Sequence, residues 1–136
     1  MDHKETIAKT IDFVKIELED AEGGHDWWHI YRVWKTATAI AKDESVDLLV
    51  VELGALLHDI ADAKFHDGDE SIGPQKARSF LVQLQVDAWV IDHVIKIIEN
   101  ISFKGGNHGL DFHSKELEVV RDADRLDAIG AIGIAR

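Results

Sequence analysis

The amino-acid sequence predicts an all-α protein, a compact bundle of about five to seven helices forming one domain over the whole chain. Three observations carry that expectation. Apolar residues recur mostly three and four positions apart rather than in alternation, which is the spacing of one face of a helix. Pro74 is the only proline, so hardly any position is barred from a helix interior. Of the 136 residues, 46% are hydrophobic and 30% charged, a globular balance that sets aside disordered and fibrous classes.

The first helix is predicted over about Lys4–Ala21, where Ile7, Ile11, Val14 and Leu18 share a face and Gly23-Gly24 supplies a stop. Asp26 then reads as the N-cap of a helix with Ile30, Val33, Trp34, Ala37, Ile40 and Ala41 on one stripe and His29 one turn ahead of Val33. A third helix starts near Ser45; Leu49, Leu53, Leu56, Leu57 and Ile60 make it apolar enough to lie centrally, with His58-Asp59 at its C-terminal end. Asp62–Pro74, rich in Asp, Gly and Ser, is predicted to be a long functional loop overhanging that pair. Helices are expected at about Gln75–Leu84 and Ala88–Ile101, the second turning Val90, Val94, Ile97, Ile98 and Ile101 inward. Lys104–His113, with its Gly-Gly and Asn, is a second loop. Ser114 then caps a helix carrying Leu117 and Val120, and Asp122–Asp127 falls near the end of that helix or at a break in it. The closing AIGAIGIA is apolar and ends at Arg136 without a polar stop, so it is expected to be covered by a partner, such as a second copy in a homodimer, or to continue in a longer protein.

Composition narrows the function. A net charge of −11 repels a polyanion, so non-specific binding to a nucleic acid polymer is not expected. Without cysteine there is no disulfide framework, no thiolate zinc site and no cysteine nucleophile; any metal must be held by nitrogen and oxygen. No apolar run reaches the roughly 18 residues of a membrane span, and MDHKETIAKTIDF is too polar for a signal peptide, which makes the cytoplasm the expected location.

Eight histidines without a tag-like run are the first functional hint. His58-Asp59 sets an imidazole and a carboxylate at the end of an apolar helix, where a charge needs pairing, hydrogen bonding or a metal. Alone, the dipeptide is equally a histidine donating to a backbone carbonyl. His29 in HDWWHIYRV and Asp124 in RDADRLDAIG are each placed where a helix can face the same centre. Two imidazoles and two carboxylates suit Mn, Fe, Co, Ni, Zn or, less well, Mg, and leave positions open for water and phosphate, as a hydrolytic site requires.

In the order histidine, His-Asp, distant aspartate, the chain resembles the HD-domain superfamily of metal-dependent phosphohydrolases. The strings HDWWHIYRV, ALLHDIADAKF, ENISF and DADRLDAIGAIGIAR look like the branch of small bacterial HD hydrolases, some of them similar to nucleotide pyrophosphohydrolases, and together they span roughly Gly24–Arg136. The resemblance implies a divalent metal held by His29, His58, Asp59 and Asp124, and hydrolysis of a nucleotide phosphoanhydride or phosphoester by metal-bound hydroxide. It also implies a chain truncated at its C-terminus, since members of that branch usually extend beyond the GIAR string.

Adjacent helical residues point about 100° apart, so His58 and Asp59 reach one ion only near a helix end, or if Asp59 bridges two. Phosphate needs further cations: Lys64 in the ADAKF loop, Arg125 and Arg32 are the candidates, with a salt bridge to a neighbouring acid as the plainer reading of either arginine. Asp67 is a candidate proton donor to the leaving group, or a turn residue before Gly68. Asp59, Lys64 and Asp67 are therefore the residues expected to act at the reacting phosphate. His93 reads as an auxiliary ligand or a satisfied structural histidine. His25-Asp26 is explained by the cap, and His66, His108 and His113 by solvated loops. Trp27, Trp28, Trp34 and Trp89 are mostly core by spacing, although Trp27 or Trp28 can reach a pocket mouth and stack a base. The competing functions are a phosphatase acting on deoxynucleoside monophosphates or other small phosphomonoesters, and a non-catalytic sensor that binds metal and nucleotide.

Overall fold

The computed structural model describes residues 2–19, 26–60, 71–102 and 112–134, with backbone alone for 131–134. These residues form six α-helices: α1 (His3–Glu17), α2 (Trp27–Ala41), α3 (Leu48–Leu57), α4 (Ile72–Gln83), α5 (Ala88–Ser102) and α6 (Lys115–Ile134). No strand occurs among the described residues, and no helix among them is long and apolar enough to cross a membrane.

Short acceptor side chains start four of the six helices. Asp2 accepts from the Glu5 N–H at 2.8 Å, Asp26 from His29 at 3.1 Å, Asp47 from Val50 at 3.2 Å and Ser114 from Leu117 at 3.0 Å, each satisfying a donor that the first turn leaves open. Asp47 rather than Ser45 is thus the start of α3. Helix α4 begins at Ile72, one turn earlier than the loop expected to run to Pro74. Pro74 fits inside that first turn because its missing N–H would have had no intrahelical acceptor there. The expected stop or break at Asp122–Asp127 is also corrected, since α6 runs unbroken through it. Acidic residues alone do not end a helix: Asp122 is exposed, while Asp124 and Asp127 are half-buried and continue the inward face that Leu117, Val120 and Ala123 form. Helix α1 ends at Glu17, with Leu18 as its C-cap; Gly23-Gly24 lies outside the described residues.

Helix α3 is the axis of the fold. Every residue from Val50 to Leu57 is buried, and the helix packs against α1, α2, α5 and α6. A Cβ on Gly54 would lie 3.2 Å from Ile97 Cγ2, so the bare Cα is what lets α3 and α5 lie this close. Helices α2 and α6 also pack on each other, and α4 packs on α5 and reaches α1 through the Phe13–Phe80 stack, whose centroids are 4.1 Å apart. None of the four tryptophans is buried, contrary to the spacing: Trp28 and Trp89 are well exposed and Trp27 and Trp34 half-buried. Trp34 is held at the margin because its indole N–H has a polar partner below it.

That partner is Glu52, the one acidic side chain among the buried residues of α3. Its Oε2 accepts from Trp34 Nε1 at 2.8 Å and its Oε1 lies 2.6 Å from His3 Nε2, so a single carboxylate ties α1 and α2 to the central helix. A buried donor stripped of its acceptor costs about 1–3 kcal/mol. Glu52→Ala is therefore expected to lower the unfolding free energy by about 2 kcal/mol. Urea denaturation checks this, with the midpoint falling at unchanged slope.

Candidate metal centre

The site is assembled where the start of α2, the end of α3 and the middle of α6 meet. The Asp26 cap fixes the first turn of α2, placing His29 toward α6. His58 is the C-cap of α3 and still has helical backbone angles, φ −65° and ψ −18°, while Asp59 follows in the turn beyond. The pair thus stands at a helix end, the place where two adjacent residues can turn toward one ion.

The ring nitrogens have divided roles. His58 is buried, and its Nδ1–H donates to the Ala55 carbonyl at 2.7 Å. His29 Nδ1–H donates to Asp127 Oδ2 at 2.6 Å. Since a carbonyl and a carboxylate can only accept, both rings are held with Nδ1 protonated and Nε2 turned to the other side. There the two Nε2 atoms converge on one atom, Asp124 Oδ1, at 3.3 Å from His29 and 3.4 Å from His58. The ring centroids are 5.8 Å apart. One ligand atom each from His29, His58 and Asp59 lies within 4.8 Å of the others, close enough to hold a metal ion.

The electrostatics follow from that convergence. Burial disfavours a charged His29, but the hydrogen bonds and charges of Asp124 and Asp127 outweigh it and raise the pKa. In His58 the burial is deeper, and Asp124, with the charge of Asp59 and the Ala55 carbonyl, again raises the pKa. Burial would raise Asp124, yet the two imidazoles hold it well below the ordinary carboxylate range. Asp127 is likewise lowered, with Arg32 and His29 overcoming its burial. Three electron-rich atoms aimed at one point repel unless positive charge lies between them. A proton on Nε2 and a divalent cation are the two species that fit this donor set.

Of the four residues expected from the sequence, His29, His58 and Asp59 form one group within 4.8 Å, and Asp124 Oδ1 lies 3.3 and 3.4 Å from the two imidazoles. Lys64 and Asp67 lie outside the described residues, as do His25, His66 and His108. Arg32 is committed elsewhere than to phosphate: its Nε donates to Asp127 Oδ1 at 2.6 Å and its Nη2 approaches Oδ2 at 3.4 Å, which is the salt-bridge reading of that residue. Arg125 is exposed on α6, and the neighbouring Asp127 engages Arg32 and His29. His93 stands apart, 2.9 Å from Ser114 Oγ and 3.8 Å from Glu116 Oε1, where it ties α5 to the start of α6 rather than joining the cluster. Asp127 was not anticipated. Its signal was available in the three-residue spacing from Asp124, which puts both carboxylates on one face of α6.

The HD domain profile matches residues 27–129, an interval containing all four convergent residues and Asp127. Protein YpgQ of Bacillus subtilis is 42% identical over 125 residues, covering 91% of this chain and 60% of YpgQ. A crystal structure of YpgQ in complex with ADP superposes with a TM-score of 0.79 at 38% identity, over 100% of this chain and 65% of that one. An HD-superfamily hydrolase from Bacillus thuringiensis gives a TM-score of 0.77 at 42% identity, covering 99% of this chain and 64% of the hydrolase. The chain accordingly spans a little under two thirds of the length of these relatives. From the profile, the relatives and the shared helical architecture, this chain belongs to the HD-domain family.

Proposed function

We propose that this chain forms the metal-binding domain of a phosphohydrolase acting on a nucleotide, with a divalent cation held by His29, His58, Asp59 and Asp124. The observation that carries this reading is the convergence of two Nε2 atoms on one carboxylate oxygen, each ring locked from behind through Nδ1. Histidine ligands are characteristically fixed in this way. When bound there, a divalent ion lowers the pKa of water and polarises a phosphoryl oxygen.

The chain's own residues do the rest. Asp127 and the Ala55 carbonyl hold the imidazoles against rotation, so the donor atoms are in place before an ion arrives. With a net charge of −11, the protein needs local cations to receive an anionic substrate. Arg125, exposed next to Asp124 on α6, offers a forked donor, and Lys64 a point charge in the segment that follows the His-Asp pair. Asp67 of the same segment is assigned to protonate the leaving group. The nucleotide is the favoured substrate class because the relative YpgQ has been crystallised with ADP. The shared chemistry extends to phosphomonoesters, which the test separates by product.

Elemental analysis of untreated protein is expected to find about one or two divalent ions per chain. Nucleoside mono-, di- and triphosphates supplied with Mn, Co, Ni, Zn or Mg should then yield phosphate or pyrophosphate, with release abolished by a chelator and restored by added metal. Release from monophosphates alone identifies the phosphatase, and metal uptake with no turnover the sensor. Protein that takes up no divalent ion overturns the reading altogether.

A further inference from the structure

We propose that Asp127, clamped by Arg32, is the positioning residue that makes His29 the stronger of the two imidazole donors. The inference rests on the metal reading above and concerns two residues that the ligand set does not include. Its basis is an asymmetry behind the two rings. His58 Nδ1 is backed by a neutral carbonyl of its own helix, Ala55 O. His29 Nδ1 is backed by a carboxylate from a different helix, Asp127 on α6. An anion behind an imidazole draws the Nδ1 proton toward itself and leaves more electron density on Nε2, which strengthens it as a ligand; a carbonyl does so less.

The carboxylate is divided between two tasks. Oδ2 takes His29 Nδ1 at 2.6 Å and Oδ1 takes Arg32 Nε at 2.6 Å, so both oxygens are anchored and the group cannot swing to the Nε2 side. Arg32 reaches this point from the surface: its side chain is 53% exposed against 10% for Asp127. An exposed arginine pair contributes only about 0–1 kcal/mol to folding. Stapling α2 to α6 is thus a weak reason for the arrangement, since a surface pair would serve without touching a histidine. Holding Asp127 in register with His29 gives the same contacts a chemical consequence.

Asp127→Asn removes the charge and, because its amide has a single acceptor atom, the contact with Arg32 Nε as well. The amide oxygen can still accept from Nδ1–H, whereas Asp127→Ala removes that acceptor too. Histidine nitrogen NMR on the metal-free protein, at a pH above the histidine range, reports which ring nitrogen carries the proton. Wild type and Asp127→Asn are expected to keep His29 protonated at Nδ1; Asp127→Ala should move that proton to Nε2 while leaving His58 unchanged. Cobalt titration followed by absorbance should show affinity falling roughly 10–100-fold in both variants, with a smaller loss in Arg32→Gln. Retention of the His29 tautomer in Asp127→Ala, or unchanged cobalt affinity in Asp127→Asn, overturns the proposal. Wild-type protein that takes up no cobalt defeats the metal reading instead, and the tautomer measurement still decides whether Asp127 sets the ring. If Asp127→Ala does not fold, Asp127→Asn and Arg32→Gln carry the affinity test.

Discussion

Substituting His58 by alanine is expected to abolish divalent-ion uptake by the proposed site and to cut the proposed phosphate release by about 10³-fold or more, because an ion bound there would lower the pKa of water from about 15.7 to about 7. The same change should weaken the metal-free fold by about 2–4 kcal/mol. His58 is only 4% exposed, and its loss leaves both a cavity at the end of α3 and an Asp124 carboxylate with one imidazole instead of two. Asp59→Ala separates the two effects. Asp59 is half-buried in the turn after the helix, so its removal leaves a smaller cavity, and metal content and turnover should fall as far while the melting temperature of metal-free protein falls less than in His58→Ala. Metal analysis, phosphate release and thermal unfolding of the two variants test this together. An Asp59→Ala protein with undiminished metal and turnover would show that the carboxylate is not a ligand.

His29 and the His58-Asp59 pair were legible because each sits where a local rule predicts it. Asp26 is a recognisable cap, so the first turn of α2 and the direction of His29 could be placed from a few residues. The apolar circumference of α3 announced a central helix, and a His-Asp pair at its end had to be functional or compensated. What lay beyond reach was the relation between helices. Arg32 reads as a phosphate binder or a surface ion pair, and only the packing of α2 on α6 decides for the pair. Asp127 likewise acquires its role from a residue 98 positions away. The continuity of α6 was misjudged for a local reason: three aspartates in six residues resemble a turn, but with no glycine or proline before Gly130 and a buried stripe to follow, the helix continues.

The stability of the metal-free chain should depend on pH in a sense fixed by the same cluster. His29 and His58 bind protons more tightly folded than unfolded, so their contribution is complete below the ordinary histidine value of 6.5 and disappears as the pH rises through their raised folded values. Asp124 and Asp127 are shifted the other way. Their contribution is present above the ordinary 3.8 and disappears as the pH falls toward their folded values. The contacts between Asp124 and the two rings are shared by both descriptions and stabilise only once, so the cluster's contribution to the metal-free fold is greatest between 3.8 and 6.5. A divalent ion competes with protons for the same two Nε2 atoms, and its affinity must climb as they leave. A fixed metal concentration equal to 100 times the dissociation constant at about pH 8 stabilises by about 2.7 kcal/mol there, and by less at about pH 5, where the dissociation constant is larger. Thermal unfolding with chelator and with manganese across this range should show the two curves separating as the pH rises. Curves that stay parallel would mean that the ion binds without displacing the protons of His29 and His58, and so somewhere other than between them.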